Sequence, residues 1–441
     1  MSALARYFLA KGLKVGGYDR VATALTRRLE AEGASLHYED NVEMIAPCFK
    51  DRAHTLVVYT PAIPNDMSEL RYYEDNGFEL QKRAQVLGTL SRALKALCVA
   101  GTHGKTTTTT MTAYLLHESS VGCNAFLGGI SKNYGTNYLY SGTSPYVVVE
   151  ADEYDRSFHQ LKPWATVITA TDADHLDIYG TEDAYVESFN HYSSLVQEGG
   201  ALILHTGLKM QPRPQKGVRV FTYGRGEGDF HAENEKIGGG EIVFDYKSPL
   251  GNIDNVRLGV PVSINIENGV AALALAQLAG AGTDELRRAM ATFEGVERRF
   301  DFKLKTDRHV VLSDYAHHPE EIRQSILSLR EVFGGRKLTA IFQPHLYSRT
   351  RDFYREFAES LSMLDEAVLT EIYPARELPI EGVSSELIYR YTHPKMDKYL
   401  IRKDSVLDFV ASHPTDVLVI LGAGDLDDYT DRIAAVVSEG K

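Results

Sequence analysis

The stretch Leu97 to Thr112, LCVAGTHGKTTTTTMT, constrains this chain more than any other. It joins a short apolar strand to a helix through a glycine-bounded turn, with a lysine and five successive threonines at the helix start. Backbone N–H groups without partners at a helix N-terminus, together with the dipole there, favour an anion. Gly101 and Gly104 let the main chain close on that anion, and Lys105 adds a mobile positive charge. β-Branched residues are poor helix formers, so Thr106 to Thr110 give up roughly 3 kcal/mol of intrinsic helicity relative to alanine. Hydroxyls at these positions therefore outweigh propensity. The usual phosphate-loop spacing has glycine where this chain has Val99, so the loop is a shorter variant running Gly101, Thr102, His103, Gly104, Lys105, Thr106 and Thr107. The segment predicts a triphosphate grip at the end of a buried strand.

A chain of 441 residues has the length of about three domains. Its net charge of -13 argues against a protein held on nucleic acid by bulk electrostatics, so an anionic ligand needs a local site. Cys48, Cys98 and Cys123 have neither paired nor metal-type spacing, which fits a reducing cytosol. Arg6 and Lys11 interrupt the first apolar segment, unlike a signal peptide, and no run approaches the ~18 apolar residues of a membrane span. The expectation is a cytoplasmic protein with no nucleic-acid or membrane partner.

Three α/β segments are expected. Residues 1–92 alternate short strands with helical patterns but begin inside a helix at Ser2, where a parallel α/β unit normally opens on a strand. Residues 93–295 carry the loop, the apolar strands YVVVEAD ending at Asp152 and ATVITAT ending at Thr171, and a glycine-rich β-hairpin excursion over about 217–260. Residues 296–441 alternate the strands VVLSDY, KLTAIFQ, DEAVLTE and DVLVILGAG with helices, as in a doubly wound, Rossmann-like sheet.

Ligands of such sheets lie beyond the strand C-terminal ends, and that is where the reactive residues fall. Glu150 and His175 follow two central strands and are natural magnesium partners for a triphosphate, with Thr106 supplying a hydroxyl. Glu153 and Asp174 stand close enough to exchange roles with them. In the last segment Asp314 ends a strand, His317 and His318 occupy a turn, and Pro319 suits the first turn of a helix. Arg349 and Arg351 could hold a carboxylate or phosphate bidentately, or simply be solvated, and Arg298 and Arg299 share that ambiguity. Anion-binding groups at strand ends in two segments suggest a triphosphate in one and an acceptor closing over it from the other.

Taken together, AGTHGKTTTTTM, VEADEYDRSF, ATDADHLDIYG, GVERRFDF, DYAHHPEEI, FQPHLYSRTRDF and GAGD resemble the Mur ligases, the ATP-dependent amide ligases of peptidoglycan synthesis. HHP with PHLYSRTRD is similar to the alanine-adding branch and its tripeptide-recycling relative. The resemblance implies three domains: a Rossmann-like N-terminal domain for the uridine substrate, a central P-loop-type ATPase domain and a C-terminal Rossmann-like domain. It implies that ATP phosphorylates the lactyl carboxylate of UDP-N-acetylmuramate and that L-alanine attacks the acyl phosphate. It further implies that Lys105 and magnesium carry the electrostatic load. On the family pattern Thr106 and Glu150 hold magnesium and His175 serves a second ion. Asn268, Arg299 and Asp314 face ATP. Tyr315, His317, His345 and Arg349 surround alanine, with Arg349 on its carboxylate. Asp19 and Thr60 flank the uridine diphosphate, and the enzyme is a monomer or homodimer.

Three departures from the family pattern are visible. Ile264 precedes Asn265 where the family usually has histidine, and Leu346 stands where many members have arginine. The family's first strand and glycine-rich loop are expected ahead of a residue matching Met1, and the sequence does not include them. The competing readings are a tripeptide-recycling ligase and a nucleotide-binding remnant without catalysis.

Overall fold

The computed structural model describes residues 1–441 except 61, 62, 65, 175, 376, 440 and 441. The contacts gather the chain into two compact units, one of residues 1–233, 246–253 and 268–290, the other of residues 234–245, 254–267 and 291–441.

The helix Ser2–Ala10 opens the first unit, as its amphipathic pattern predicts, and buries Ala3 and Leu4. Its Tyr7 ring meets Phe126 and Tyr138, and Arg6 pairs with Glu32 at 2.8 Å and bonds Asn137 at 2.8 Å. Two parallel strand pairs follow, β1 (Gly16–Tyr18) with β2 (Ser35–His37) and β3 (Leu56–Tyr59) with β4 (Glu79–Lys82).

The main sheet holds β5 (Lys95–Ala100), β6 (Asn124–Ser131), β7 (Thr136–Leu139), β8 (Tyr146–Glu150), β9 (Ala165–Ile168), β10 (Ala201–His205), β11 (Arg219–Arg225), β12 (Phe230–Gly238), β13 (Glu241–Lys247) and β14 (Ile253–Arg257). Their order is β14-β13-β12-β11-β10-β9-β5-β8-β6-β7. Parallel pairing of β5 with β8 and β9 buries Ala96 to Ala100 completely, which explains an apolar run without alternation. β8 and β9 stop at Glu150 and Ile168, short of the expected ends at Asp152 and Thr171, because the chain turns away to build loops beside β5. The expected hairpin excursion is present: Gly239 and Gly240, both at positive φ (61° and 78°), link β12 to β13.

The second unit's sheet holds β15 (Asp301–Lys305), β16 (Val310–Asp314), β17 (Leu338–Phe342), β18 (Glu366–Leu369), β19 (Asp397–Leu400) and β20 (Val417–Leu421) in the order β15-β16-β20-β17-β18-β19. β16, β20, β17, β18 and β19 run parallel, so Asp314, Gln343 and Gly422 emerge at the same end of the sheet. The edge strands β15, antiparallel, and β19 are additions that the short polar segments DFKLK and DKYL did not signal.

Candidate active site

β5 ends at Ala100, and the chain turns through Gly101 (φ 134°) and Gly104 (φ 78°) into the helix Lys105–His117. A side chain at Gly104 would press on the Asn268 amide oxygen, so both backbone angle and space demand glycine. Thr169 Oγ1 donates to the His103 carbonyl at 2.5 Å, and Thr102 Oγ1 donates to the Asp172 carbonyl at 2.7 Å. The loop is thus tied to the segment after β9. Thr107 is half-buried in the first turn.

The threonine run divides into distinct jobs. Thr110 and Thr112 return hydrogen bonds to the carbonyls of Thr106 and Thr108, both at 2.8 Å. Thr108 Oγ1 donates to Asn268 Oδ1 at 3.1 Å, which fixes the loop against the helix Ile264–Leu278. Asn265, beside the unusual Ile264, donates to the Val260 carbonyl at 3.1 Å. Thr108 to Thr112 are buried, so tertiary packing overrides their weak helix propensity.

Two acids meet the loop, and sequence alone left their roles interchangeable. Thr106 Oγ1 donates to Glu150 Oε1 at 3.1 Å, while Gly128 leaves room that a side chain would deny the Glu150 carboxylate. Lys105 Nζ pairs instead with Glu153, 2.8 Å from Oε2 and 2.9 Å from Oε1. The same ammonium donates to the carbonyls of Gly101 at 2.7 Å and Thr102 at 3.2 Å. Lys105 is therefore anchored rather than mobile. Burial pushes the Glu153 carboxyl up to about 7, against the opposing pull of Lys105. The sequence offered Glu153 only as an alternative to Glu150; the EADE spacing that continues beyond the strand end is what places it near the loop. Asp174 is exposed, and His175 lies outside the described residues.

The hydroxyl and carboxylate of Thr106 and Glu150 are hard oxygen donors beside a helix N-terminus, a donor set that suits magnesium. No group of three or more metal-binding side chains occurs among the described residues.

The second cluster belongs to the second unit. Asp314 ends β16 fully buried, accepts a short hydrogen bond from Ser325, and has its carboxyl pushed up by that burial. Two guanidinium groups approach the Tyr315 ring, Arg298 at 4.8 Å and Arg299 at 4.9 Å from its centroid. Arg298 also donates to the Gly424 carbonyl at 2.9 Å, so it is a structural tie and not the solvated alternative. Pro319 opens the helix Pro319–Val332 as expected, and its Glu321 accepts from the backbone of His317 at 3.0 Å and His318 at 3.2 Å. His317 Nδ1 contacts the Tyr315 carbonyl at 2.9 Å and Glu321 at 3.2 Å, and these contacts orient its ring.

After β17 the chain bends through Leu346 (φ 72°) into the helix Tyr347–Leu361. The His345 ring stacks on Tyr373 at 5.7 Å and meets His317 edge-on at 5.9 Å. Burial, followed by His317 and Arg349, pushes the His345 imidazole down to about 4, so it is neutral near pH 7. His345 Nδ1 and Arg349 Nη1 are buried with no hydrogen-bond partner among the described residues. Arg351, by contrast, is exposed and paired with Asp352 at 2.7 Å, so it is the solvated member of the pair. Asp19 is exposed and Thr60 half-buried after their strands, with Asp19 accepting from the Val21 backbone at 3.4 Å.

Three family models match the chain: Mur ligase family, catalytic domain, over residues 1–95; Mur ligase middle domain over 99–276; and Mur ligase, glutamate ligase domain, over 298–424. A relative from Phocaeicola vulgatus, named UDP-N-acetylmuramate-L-alanine ligase, is 62% identical over 439 residues, covering 100% of this chain and 96% of its own. One of the same name from Parabacteroides distasonis is 54% identical over 439 residues, covering 99% and 95%. The crystal structure of the UDP-N-acetylmuramate-alanine ligase of Thermotoga maritima matches with a TM-score of 0.81 at 27% identity, covering 100% of this chain and 97% of that one. A murein peptide ligase of Psychrobacter arcticus shares the fold at a TM-score of 0.64 and 21% identity.

Proposed function

This chain belongs to the Mur ligase family, and from that membership we propose that it joins L-alanine to the lactyl carboxylate of UDP-N-acetylmuramate at the expense of ATP, in peptidoglycan synthesis. The observation that carries this reading is the end-to-end identity of 62% with a relative named for that reaction.

The chemistry accounts for the residues. A carboxylate approaching a triphosphate brings anions together, so the barrier is mainly electrostatic. Lys105, the loop amides and the helix N-terminus supply fixed positive potential where the phosphoryl group transfers. The lactyl carboxylate oxygen attacks the γ-phosphorus and ADP leaves. The amine of alanine, having lost a proton, then attacks the acyl carbon, and inorganic phosphate departs with the oxygen it gained.

Thr106 and Glu150 would hold magnesium, with His175 serving a second ion; magnesium, when bound, neutralises phosphate charge. Asn268, Arg299 and Asp314 are assigned to ATP. Tyr315, His317, His345 and Arg349 are assigned to alanine, the guanidinium taking its carboxylate. Arg349 Nη1, which has no hydrogen-bond partner among the described residues, supports that last assignment. Asp19 and Thr60 are assigned to the uridine diphosphate. The division into 1–92, 93–295 and 296–441, a cytoplasmic location, a monomer or homodimer, and the absence of nucleic-acid and membrane partners complete the reading. No helix among the described residues is long and apolar enough to cross a membrane.

Phosphate release from ATP and UDP-N-acetylmuramate tests it. Release should require L-alanine alone; dependence on the stem tripeptide in its place would overturn the assignment.

A further inference from the structure

Glu153 is a buried acid at the loop to which the mechanism above gives no task. It is 1% exposed, and its carboxylate contacts Lys105 through both oxygens, at 2.8 and 2.9 Å. Its own backbone is fixed, since the Tyr179 hydroxyl donates to the Glu153 carbonyl at 2.5 Å. Lys105 has three protons, and Gly101, Thr102 and Glu153 accept them. The ammonium therefore sits at the apex of a tripod whose other two feet are loop carbonyls.

We propose that Glu153 is a positioning residue for Lys105, holding the ammonium against the Gly101 and Thr102 carbonyls and setting, through its own charge, how tightly the loop takes a triphosphate. Two consequences follow from the geometry. A carboxylate this close offsets much of the field that Lys105 offers to an anion, so the charge of Glu153 weakens ground-state binding of a tetra-anion. Removal of the lysine, in turn, strands a buried carboxylate, which costs stability that a neutral amide at the same position does not. Burial already pushes Glu153 towards its neutral form, against the opposing pull of Lys105. This role deepens the ligase reading and rests on ATP being the nucleotide.

Four full-length proteins test it: wild type, Lys105→Ala, Glu153→Gln and the double variant. Lys105→Ala should lower the thermal midpoint by several degrees, and adding Glu153→Gln should recover most of that loss. Additive losses would overturn the pairing. Glu153→Gln alone should bind ATP about three- to tenfold more tightly than wild type, and Glu153→Asp should return affinity towards the wild-type value. Folded Glu153→Gln with unchanged or weaker ATP affinity overturns the proposal, as does a raised magnesium requirement, which would make Glu153 a metal acid. If wild type itself fails to bind ATP, the ligase reading falls and the proposal with it, whereas unchanged affinity in Glu153→Gln removes only the role of Glu153.

Discussion

The residues around Lys105 and those around Arg349 treat buried charge in opposite ways. Around Lys105 the protons have protein acceptors, and Glu150 accepts from Thr106. Around Arg349, Nη1 and the neighbouring His345 Nδ1 are buried without hydrogen-bond partners among the described residues. A buried polar atom left unpaired costs about 1–3 kcal/mol, so the second cluster favours an added partner that the described residues do not supply. On the proposed assignments a polyanion at the first cluster competes with protein acceptors, whereas a small carboxylate at the second meets a guanidinium nitrogen that has no hydrogen-bond partner among the described residues. That difference fits the proposed assignment of a triphosphate to the first cluster and of a small zwitterion to the second.

The largest effect is expected for Lys105→Ala, which should reduce turnover about a thousandfold or more because it removes the ammonium that the loop holds. Near-normal turnover would show that the tripod serves structure only. Arg349→Lys should raise KM for alanine about 30- to 100-fold through loss of the planar fork, with KM for ATP unchanged. A parallel rise in KM for ATP would erase the distinction between the two clusters. Gly104→Ala should cost about 1–2 kcal/mol in denaturant unfolding, since alanine at φ 78° is strained and its methyl meets Asn268. The smallest effect concerns His345. Its folded value of about 4 lies below the ordinary 6.5, so the unfolded chain binds the extra proton first and stability declines as pH falls through that window. His345→Asn should therefore lose less thermal midpoint than wild type between pH 7 and pH 4.5, by a degree or two; identical losses would show that the imidazole is not held neutral.

Much of this was legible in the residues. The strand, turn and threonine-rich helix, the acid at Glu150, the His-His-Pro turn and the alternating strands after 298 all carry local signals of periodicity and capping. What was not legible depends on pairing across the sheet. Which acid meets Lys105 is decided by the parallel alignment of β5 with β8 and by the turn through Asp155 and Arg156, both at positive φ (51° and 53°). No sequence pattern separates Glu150 from Glu153 without that alignment. Arg349 and Arg351 differ only in which side of one helix they face, and Asp352, an adjacent partner, settles the solvated member. The edge strands β15 and β19 were hidden because half-exposed charged segments carry little hydrophobic pattern.

In the proposed reaction a substrate carboxylate, and not water, takes the phosphoryl group at this loop. The direct measurement uses UDP-N-acetylmuramate labelled with oxygen-18 in its lactyl carboxylate, together with ATP and L-alanine, and reads the isotope in the released phosphate. One labelled oxygen per phosphate is expected, because the attacking oxygen leaves with phosphorus when the amide forms. Unlabelled phosphate accompanying alanine-dependent ADP formation would contradict it.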